Sequence, residues 1–248
     1  MADPHFIIWV TLTYLVAGIV KGVIGSGMPT IGVGVLTAVL GLHPALALML
    51  VPTMVTNIWQ AVVGGHFRAI FVRAWPFLVP ATLTIFLGAL ALTRVNLSWL
   101  SALLGFLLAV YGGIGLLRPP LTMAKRNERR IGIVAGLING TLGGMTGSFG
   151  MPGIPYLQAM GLPRDEFIQA LGILFTLSTA ALAIALGGEH LLTADLGLAS
   201  ALALIPALAG MAIGQMLRWR LSEDRFRRVF FASQVLLGCY IVLRAALA

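Results

Sequence analysis

Charge and cysteine are both scarce in this chain. Only 10% of its 248 residues are charged, and a single cysteine, Cys239, stands in the last apolar run. One thiol excludes a disulfide framework and a thiolate metal cluster within the chain. The acidic residues (Asp3, Glu128, Asp165, Glu166, Glu189, Asp195, Glu223 and Asp224) all fall in short polar stretches between apolar runs. No carboxylate therefore sits inside an apolar segment, which argues against a carboxylate proton relay and against a cation site built from carboxylates. His5, His43, His66 and His190 are scattered at segment ends without metal-ligand spacing, and the apolar regions hold no Ser/His/Asp set. The residues thus point to no enzyme, no metal and no cofactor. The Gly-x-Gly patterns lack a βαβ context and are not nucleotide signatures.

What the chain does have is apolar length. It is 59% hydrophobic, its mean hydropathy is +0.99, and its long uncharged runs suit a bilayer, not a soluble core. The net charge of +8 is concentrated in two clusters, Arg118 to Arg130 and Arg218 to Arg228, each flanked by apolar segments. A positive-inside topology explains that distribution better than a nucleic-acid patch, so the expected partner is a bilayer and no nucleic acid; with no carboxylate inside an apolar segment, a small anion is the natural complement. Met1 to His5 lacks the basic start of a secretory signal, and the first run is expected to remain as a membrane segment.

Five apolar segments, roughly 6–25, 28–42, 44–64, 71–93 and 97–117, precede the central basic loop; five more, roughly 131–148, 151–161, 166–187, 193–217 and 226–247, follow it. The second of each set is shorter than the roughly 20 residues a crossing needs, so the first pair in each half is either two crossings or one re-entrant hairpin. The halves also match residue by residue. Val16-Ala17-Gly18 matches Val134-Ala135-Gly136, Lys21-Gly22 matches Asn139-Gly140, and Gly27-Met28-Pro29 matches Gly150-Met151-Pro152. Further on, Gly64-Gly65 matches Gly187-Gly188, Pro80 matches Pro206, Gly88 matches Gly214, and Tyr111 matches Tyr240. This is an internal repeat of about 120 residues, a duplicated membrane domain and not a solenoid unit.

Arginine bias places the loops at His66 to Arg73, Arg118 to Arg130 and Arg218 to Arg228 on the cytoplasmic side and the acidic Glu189 to Asp195 loop outside, with Arg94 and Arg244 against the rule. Each half then crosses an odd number of times. The expected fold is an all-α polytopic membrane protein of two inverted-topology repeats, with both termini outside. Residues 1–118 form the first repeat, 119–130 a basic cytoplasmic linker and 131–248 the second repeat.

The matched breaks, Gly25-Ser26-Gly27-Met28-Pro29 and Gly147-Ser148-Phe149-Gly150-Met151-Pro152, interrupt apolar segments where backbone groups are tolerated only if they line a cavity or bind something. A helix restarting after Gly-Met-Pro presents amide N–H groups and a partial positive charge, and two such N-termini from inverted halves would converge on an anion. Alternatively, the glycines let helices pack closely. Lys21 is the ionisable residue placed well inside an apolar segment, either with a functional partner or snorkelling to the headgroups. Its counterpart Asn139 is also polar. The third segments carry polar stripes, Thr53, Thr56, Asn57 and Gln60 in one and Thr176, Ser178 and Thr179 in the other; these either bind substrate oxygens or join helices. Met28 and Met151 either pack or make soft contacts to ligand sulfur. The candidate substrate-binding set is therefore Lys21, Gly25, Ser26, Gly27, Met28, Pro29, Asn57, Gln60, Asn139, Gly147, Gly150, Met151, Pro152 and Thr176.

On the glycine-rich breaks ending in proline (Gly25 to Pro29, Gly143 to Pro152), the pattern Gly64-Gly65-His66-Phe67-Arg68, and the succeeding Pro80, Gly88 and Tyr111-Gly112, the chain resembles the TauE/SafE family of sulfite exporters, also called the TSUP anion permeases. The first break, Gly-Ser-Gly-Met, has fewer consecutive glycines than many members. The resemblance implies movement of small sulfur-containing or carboxylate anions, such as sulfite, thiosulfate or sulfoacetate, across the bacterial inner membrane. An anion channel and a non-transporting membrane component serving a sulfur-metabolism partner are the alternatives.

Overall fold

The computed structural model describes residues 4–117, 121–217 and 222–247. Asp3, Arg118 to Pro120 of the basic linker, and Arg218 and Arg220 of the second basic cluster lie outside them. The described residues form eleven α-helices, a single 3-10 turn at Lys125–Asn127, and no strand. The helices are α1 (Pro4–Ile24), α2 (Met28–Leu40), α3 (Leu42–Val62), α4 (Phe67–Ala89), α5 (Ala91–Arg94), α6 (Leu97–Leu117), α7 (Glu128–Thr146), α8 (Gly153–Ala159), α9 (Arg164–Gly188), α10 (Ala194–Leu217) and α11 (Glu223–Leu247).

Seven of these segments, counting α4 and α5 as one run, are long and apolar enough to cross a membrane among the described residues. Two of the expected segments fall short as their lengths indicated, since α2 has 13 residues and α8 has 7. Glycine and proline set those limits. Pro29 occupies the first turn of α2, where its missing N–H costs nothing, and Gly41 at φ 93° ends the helix. Gly161 at φ 66° closes the turn after α8. The third departure is α7, which opens on Glu128-Arg129-Arg130 and, alone among the described helices of 18 residues or more, is not apolar enough to count as a span.

The chain divides into two compact units, and neither coincides with a sequence half. One draws on Met1–Pro52, Val95–Arg118 and His190–Ala248, the other on Thr53–Arg94 and Pro119–Glu189. Within the first, α1 packs on α10 and α6 on α11; within the second, α7 packs on α4, and α4 also packs on α9. The first helix of each half thus pairs with the fourth helix of the other.

Glycines permit these pairings. A Cβ built on Gly18 or Gly22 of α1 would lie 2.2 Å from the Ala207 oxygen or 2.4 Å from the Met211 oxygen of α10, and one on Gly214 would lie 2.2 Å from the Ile19 oxygen. The matching residues behave alike in the other unit, where a Cβ on Gly136, Gly140 or Gly144 of α7 would lie 2.1 to 2.4 Å from the Phe77, Ala81 and Ile85 oxygens of α4. Backbone-to-backbone approach of this kind is how small residues join helices where apolar burial gives no net drive. In both pairs residue numbers rise together, so the helices run parallel. Between α6 and α11 they run opposite, because Gly105 meets Gly238 and Val242 whereas Gly112 meets Phe231 and Val235.

The helix-interior Pro52 is braced by a neighbouring helix. Pro52 deprives the Leu48 carbonyl of its usual i+4 donor, and the Ser200 hydroxyl of α10 donates to that oxygen at 2.9 Å while accepting from the Val51 N–H at 3.1 Å. Arg244, an exception to the charge rule, donates to the Ala38 carbonyl in the last turn of α2, where a cation complements the helix dipole.

Candidate functional site

The two breaks lie in different units, so each is a site feature of its own unit. In the first, α1 ends as Gly25 takes φ 79° and donates to the Lys21 oxygen at 2.8 Å; Gly27, at φ 104°, then starts α2 without a side-chain cap. Left-handed angles at both glycines explain why the break needs that residue type. Gly27, Met28, Pro29 and Thr30 are buried, Ser26 nearly so. Ser26 shares a hydrogen bond with Tyr111 of α6, which itself packs edge-on against Phe230 and Phe231 of α11. Lys21 is only 4% exposed, one turn before the break, and is the only charged side chain buried among the described residues. A headgroup-snorkelling lysine would be exposed at its tip, so burial favours the reading in which Lys21 faces a polar partner or ligand.

In the second unit, α7 ends at Gly147, φ 71°, whose N–H returns to the Gly143 oxygen at 2.7 Å. The Ser148 N–H is taken by the Thr146 hydroxyl at 3.2 Å, Phe149 is buried, and the Met151–Pro152 peptide is cis. Asn139 is wholly buried, and its Oδ1 accepts the Gly153 N–H at 2.9 Å. Here the structure departs from the expectation of a helix start with open amides: the first N–H of α8 is capped by the very residue that matches Lys21. Gly153 must be glycine for this, since a Cβ there would fall 2.7 Å from Asn139 Oδ1 and 3.0 Å from Leu174 of α9. Three helices, α7, α8 and α9, meet at that point.

The polar stripes of α3 and α9 also come together in this unit. Gln60 Nε2 donates to the Ile168 oxygen at 2.7 Å, and Gln169 Nε2 donates to the Ala61 oxygen at 2.8 Å. Through this bond Gln60 joins α3 to α9, one of its two expected roles. A Cβ on Gly172 would touch Ala61 and one on Gly64 would touch Gln169, which makes α3 and α9 antiparallel. Carried further along, the same register brings Asn57 to the level of Thr176 and Thr53 to the level of Thr179. Thr53, Asn57, Ser178 and Thr179 are fully buried, and Thr176 is partly so.

Three residues central to this unit carried no signal in the sequence analysis. Arg73 grips Glu128 in a two-pronged ion pair, Nε to Oε2 at 3.0 Å and Nη2 to Oε1 at 2.7 Å, and Nη2 also donates to the Met160 oxygen at 2.8 Å. That hydrogen bond, with the charge of Arg73, holds the Glu128 carboxyl below its ordinary range. The Tyr156 hydroxyl donates to the Glu128 backbone oxygen at 3.1 Å. Together they tie α4, α7 and α8. Beside them a cavity of about 390 Å³ runs from Thr122 and Asn127 past Ile131 and Tyr156 to Pro152 of the break. Gln169 was likewise missed; its Oε1 accepts the His66 N–H at 3.0 Å and so fixes the Gly64-Gly65-His66 turn. An isolated Gln near a helix start has no pattern that would reveal this.

With the breaks, the buried lysine and the glycine-joined helices in place, the sequence model of the family described as "Sulfite exporter TauE/SafE" is found to match residues 10–241. The chain belongs to the TauE/SafE family. No curated protein and no solved structure matches it. The match covers α1 from Val10 through α11 to Ile241, so both units and both breaks fall within the TauE/SafE region. Membership makes the chain a multi-pass membrane protein of sulfite-exporter type, a transporter family and not an enzyme family.

Proposed function

We propose that this TauE/SafE protein is a secondary transporter of small sulfur-containing oxyanions or organosulfonates, of the class of sulfite, thiosulfate or sulfoacetate, across the bacterial inner membrane. The observation that carries the reading is Lys21, a buried lysine one turn before the Gly25-to-Pro29 break and the start of α2, which has no side-chain cap. A positive side chain and a helix N-terminus both favour an anion. Ser26, Gly27, Met28 and Pro29 shape the approach to that helix start, while Asn57 and Thr176 supply neutral hydrogen bonds in the other unit. Gly147, Gly150, Met151 and Pro152 hold the second break in the course that lets Asn139 cap α8.

The two sequence halves form an inverted repeat in this reading. Supporting it, the last helices of the halves, α6 and α11, run antiparallel, and so do the third helices, α3 and α9. Duplicated, oppositely oriented halves are the basis of alternating access in many carriers. The test is flux of sulfite, thiosulfate, sulfoacetate, oxalate and chloride, with taurine as a zwitterionic control, into proteoliposomes with and without a pH gradient. Saturable, gradient-sensitive movement of a sulfur oxyanion is the expected result. Lys21→Met should raise the half-saturating anion concentration with folded yield intact. Unchanged transport in that variant removes Lys21 from the mechanism, and gradient-insensitive, non-saturating flux makes the protein a channel.

A further inference from the structure

Threonines and serines in apolar helices ordinarily satisfy their hydroxyls on a carbonyl of the preceding turn. In the unit formed by Thr53–Arg94 and Pro119–Glu189, Thr82, Thr84, Thr141 and Thr146 all do so, at 2.7 to 2.9 Å. The hydroxyls of Thr53, Thr176, Ser178 and Thr179 do not, and no protein group accepts from or donates to them. Asn139 adds a fifth such group: its Oδ1 is engaged by Gly153, whereas its Nδ2 is buried with no protein partner. A buried polar atom without a partner costs about 1–3 kcal/mol, so a group of them in one unit calls for a partner from outside the protein.

The helix packing draws these groups to neighbouring levels. In the α3–α9 register Thr53 comes to the level of Thr179 with Thr176 one turn away, on the face of α9 that carries Gly172, whereas Ser178 follows Leu174 on the opposite side, toward Gly153 and Asn139. We infer that Thr53, Thr176 and Thr179 form a binding layer for a small oxyanion, built from neutral hydroxyls alone. The inference rests on the oxyanion-permease reading and specifies the chemistry of recognition in this unit. Among the described residues no charged side chain of this unit is buried. Hydroxyls can donate one hydrogen bond each to an anion whose charge is spread over several oxygens. A spherical halide offers no such set of separate acceptors.

The test is titration calorimetry of sodium sulfite, with sodium sulfate and sodium chloride as comparisons, into the detergent-purified full-length protein, alongside proteoliposome flux. The variants are Thr53→Val and Thr179→Val, which keep shape and remove the hydroxyl, Thr53→Ser and Thr179→Ser, which keep it, and Thr82→Val as a control outside the layer. Each valine variant should bind sulfite about tenfold or more weakly, the loss expected for one hydrogen bond to a charged group. The serine variants should restore affinity, Thr82→Val should match wild type, and chloride should not compete. Folded valine variants that bind sulfite like wild type overturn the layer, as does wild-type protein that binds neither sulfite nor sulfate. Hydroxyl-dependent binding without flux would keep the layer and reject the transport reading. Flux with hydroxyl-independent binding would do the reverse. If a valine variant does not fold, a serine variant at the same position that binds like wild type, together with the other valine variant, decides the outcome.

Discussion

Gly18→Ala is the sharpest perturbation of the fold, because the same one-carbon change has opposite signs at different glycines. In α1 the added Cβ would sit 2.2 Å from the Ala207 oxygen and 2.9 Å from the Met211 nitrogen, both backbone atoms of α10. Neither can rotate away, so the helices must separate or the chain must strain. Overpacking of this kind costs about 1–3 kcal/mol, and the backbone character of the obstacle puts Gly18 at the upper end. Gly113 of α6 and Gly197 of α10 are also helical glycines, but a Cβ on either would meet nothing within 4 Å. Alanine there removes unfolded-state freedom and stabilises a helix by about 0.5–1 kcal/mol. The predicted gap between Gly18→Ala and Gly113→Ala is therefore about 2–4 kcal/mol. Thermal unfolding of the detergent-solubilised variants measures it, with Gly210→Ala as a second probe of the same interface, since its Cβ would lie 2.1 Å from the Leu15 oxygen. If Gly18→Ala and Gly210→Ala unfold at or above the temperature of Gly113→Ala, the close α1–α10 packing is refuted.

Two further outcomes follow from contacts within single units. Ser200→Ala leaves the Leu48 carbonyl and the Val51 N–H beside Pro52 without their hydroxyl partner, at a cost of about 1–3 kcal/mol. It should also speed hydrogen exchange at the Val51 amide; unchanged exchange there would mean that Ser200 does not brace the proline site. The Glu128 carboxyl, held low by Arg73, contributes stability that is present above the ordinary carboxyl range and is lost as pH falls through its depressed folded value. Unfolding followed from neutral pH into the acid range should show wild type losing more stability than Arg73→Met, and parallel curves would remove the ion pair from the acid response.

Much of this architecture was legible in the chain because membrane burial leaves few choices. Apolar runs too long for a soluble core, basic loops between them and proline after each break gave the helices to within a few residues, and α6 falls at the expected bounds. Where the reading fell short, the cause was a contact at long range. Glu128, Arg129 and Arg130 looked like linker because their charge hides their helical role, whereas Glu128 opens α7 by pairing with Arg73, far away in the chain. Gln60 suited substrate and helix joining equally in the sequence, and its bond to Ile168 was not readable there.

The sequence by itself determined the membrane class and the positions of the two breaks, since hydropathy, glycine and proline act through local backbone physics and the cost of unpaired polar groups in lipid. Only the tertiary structure decided that the units of packing are exchanged between the halves, that Asn139 closes the amide its glycine-rich break was expected to leave open, and which hydroxyls remain unsatisfied. Those outcomes depend on which helix faces which. A glycine states that something comes close without naming what comes, and a threonine can bond its own helix or a ligand equally well until its neighbours are fixed.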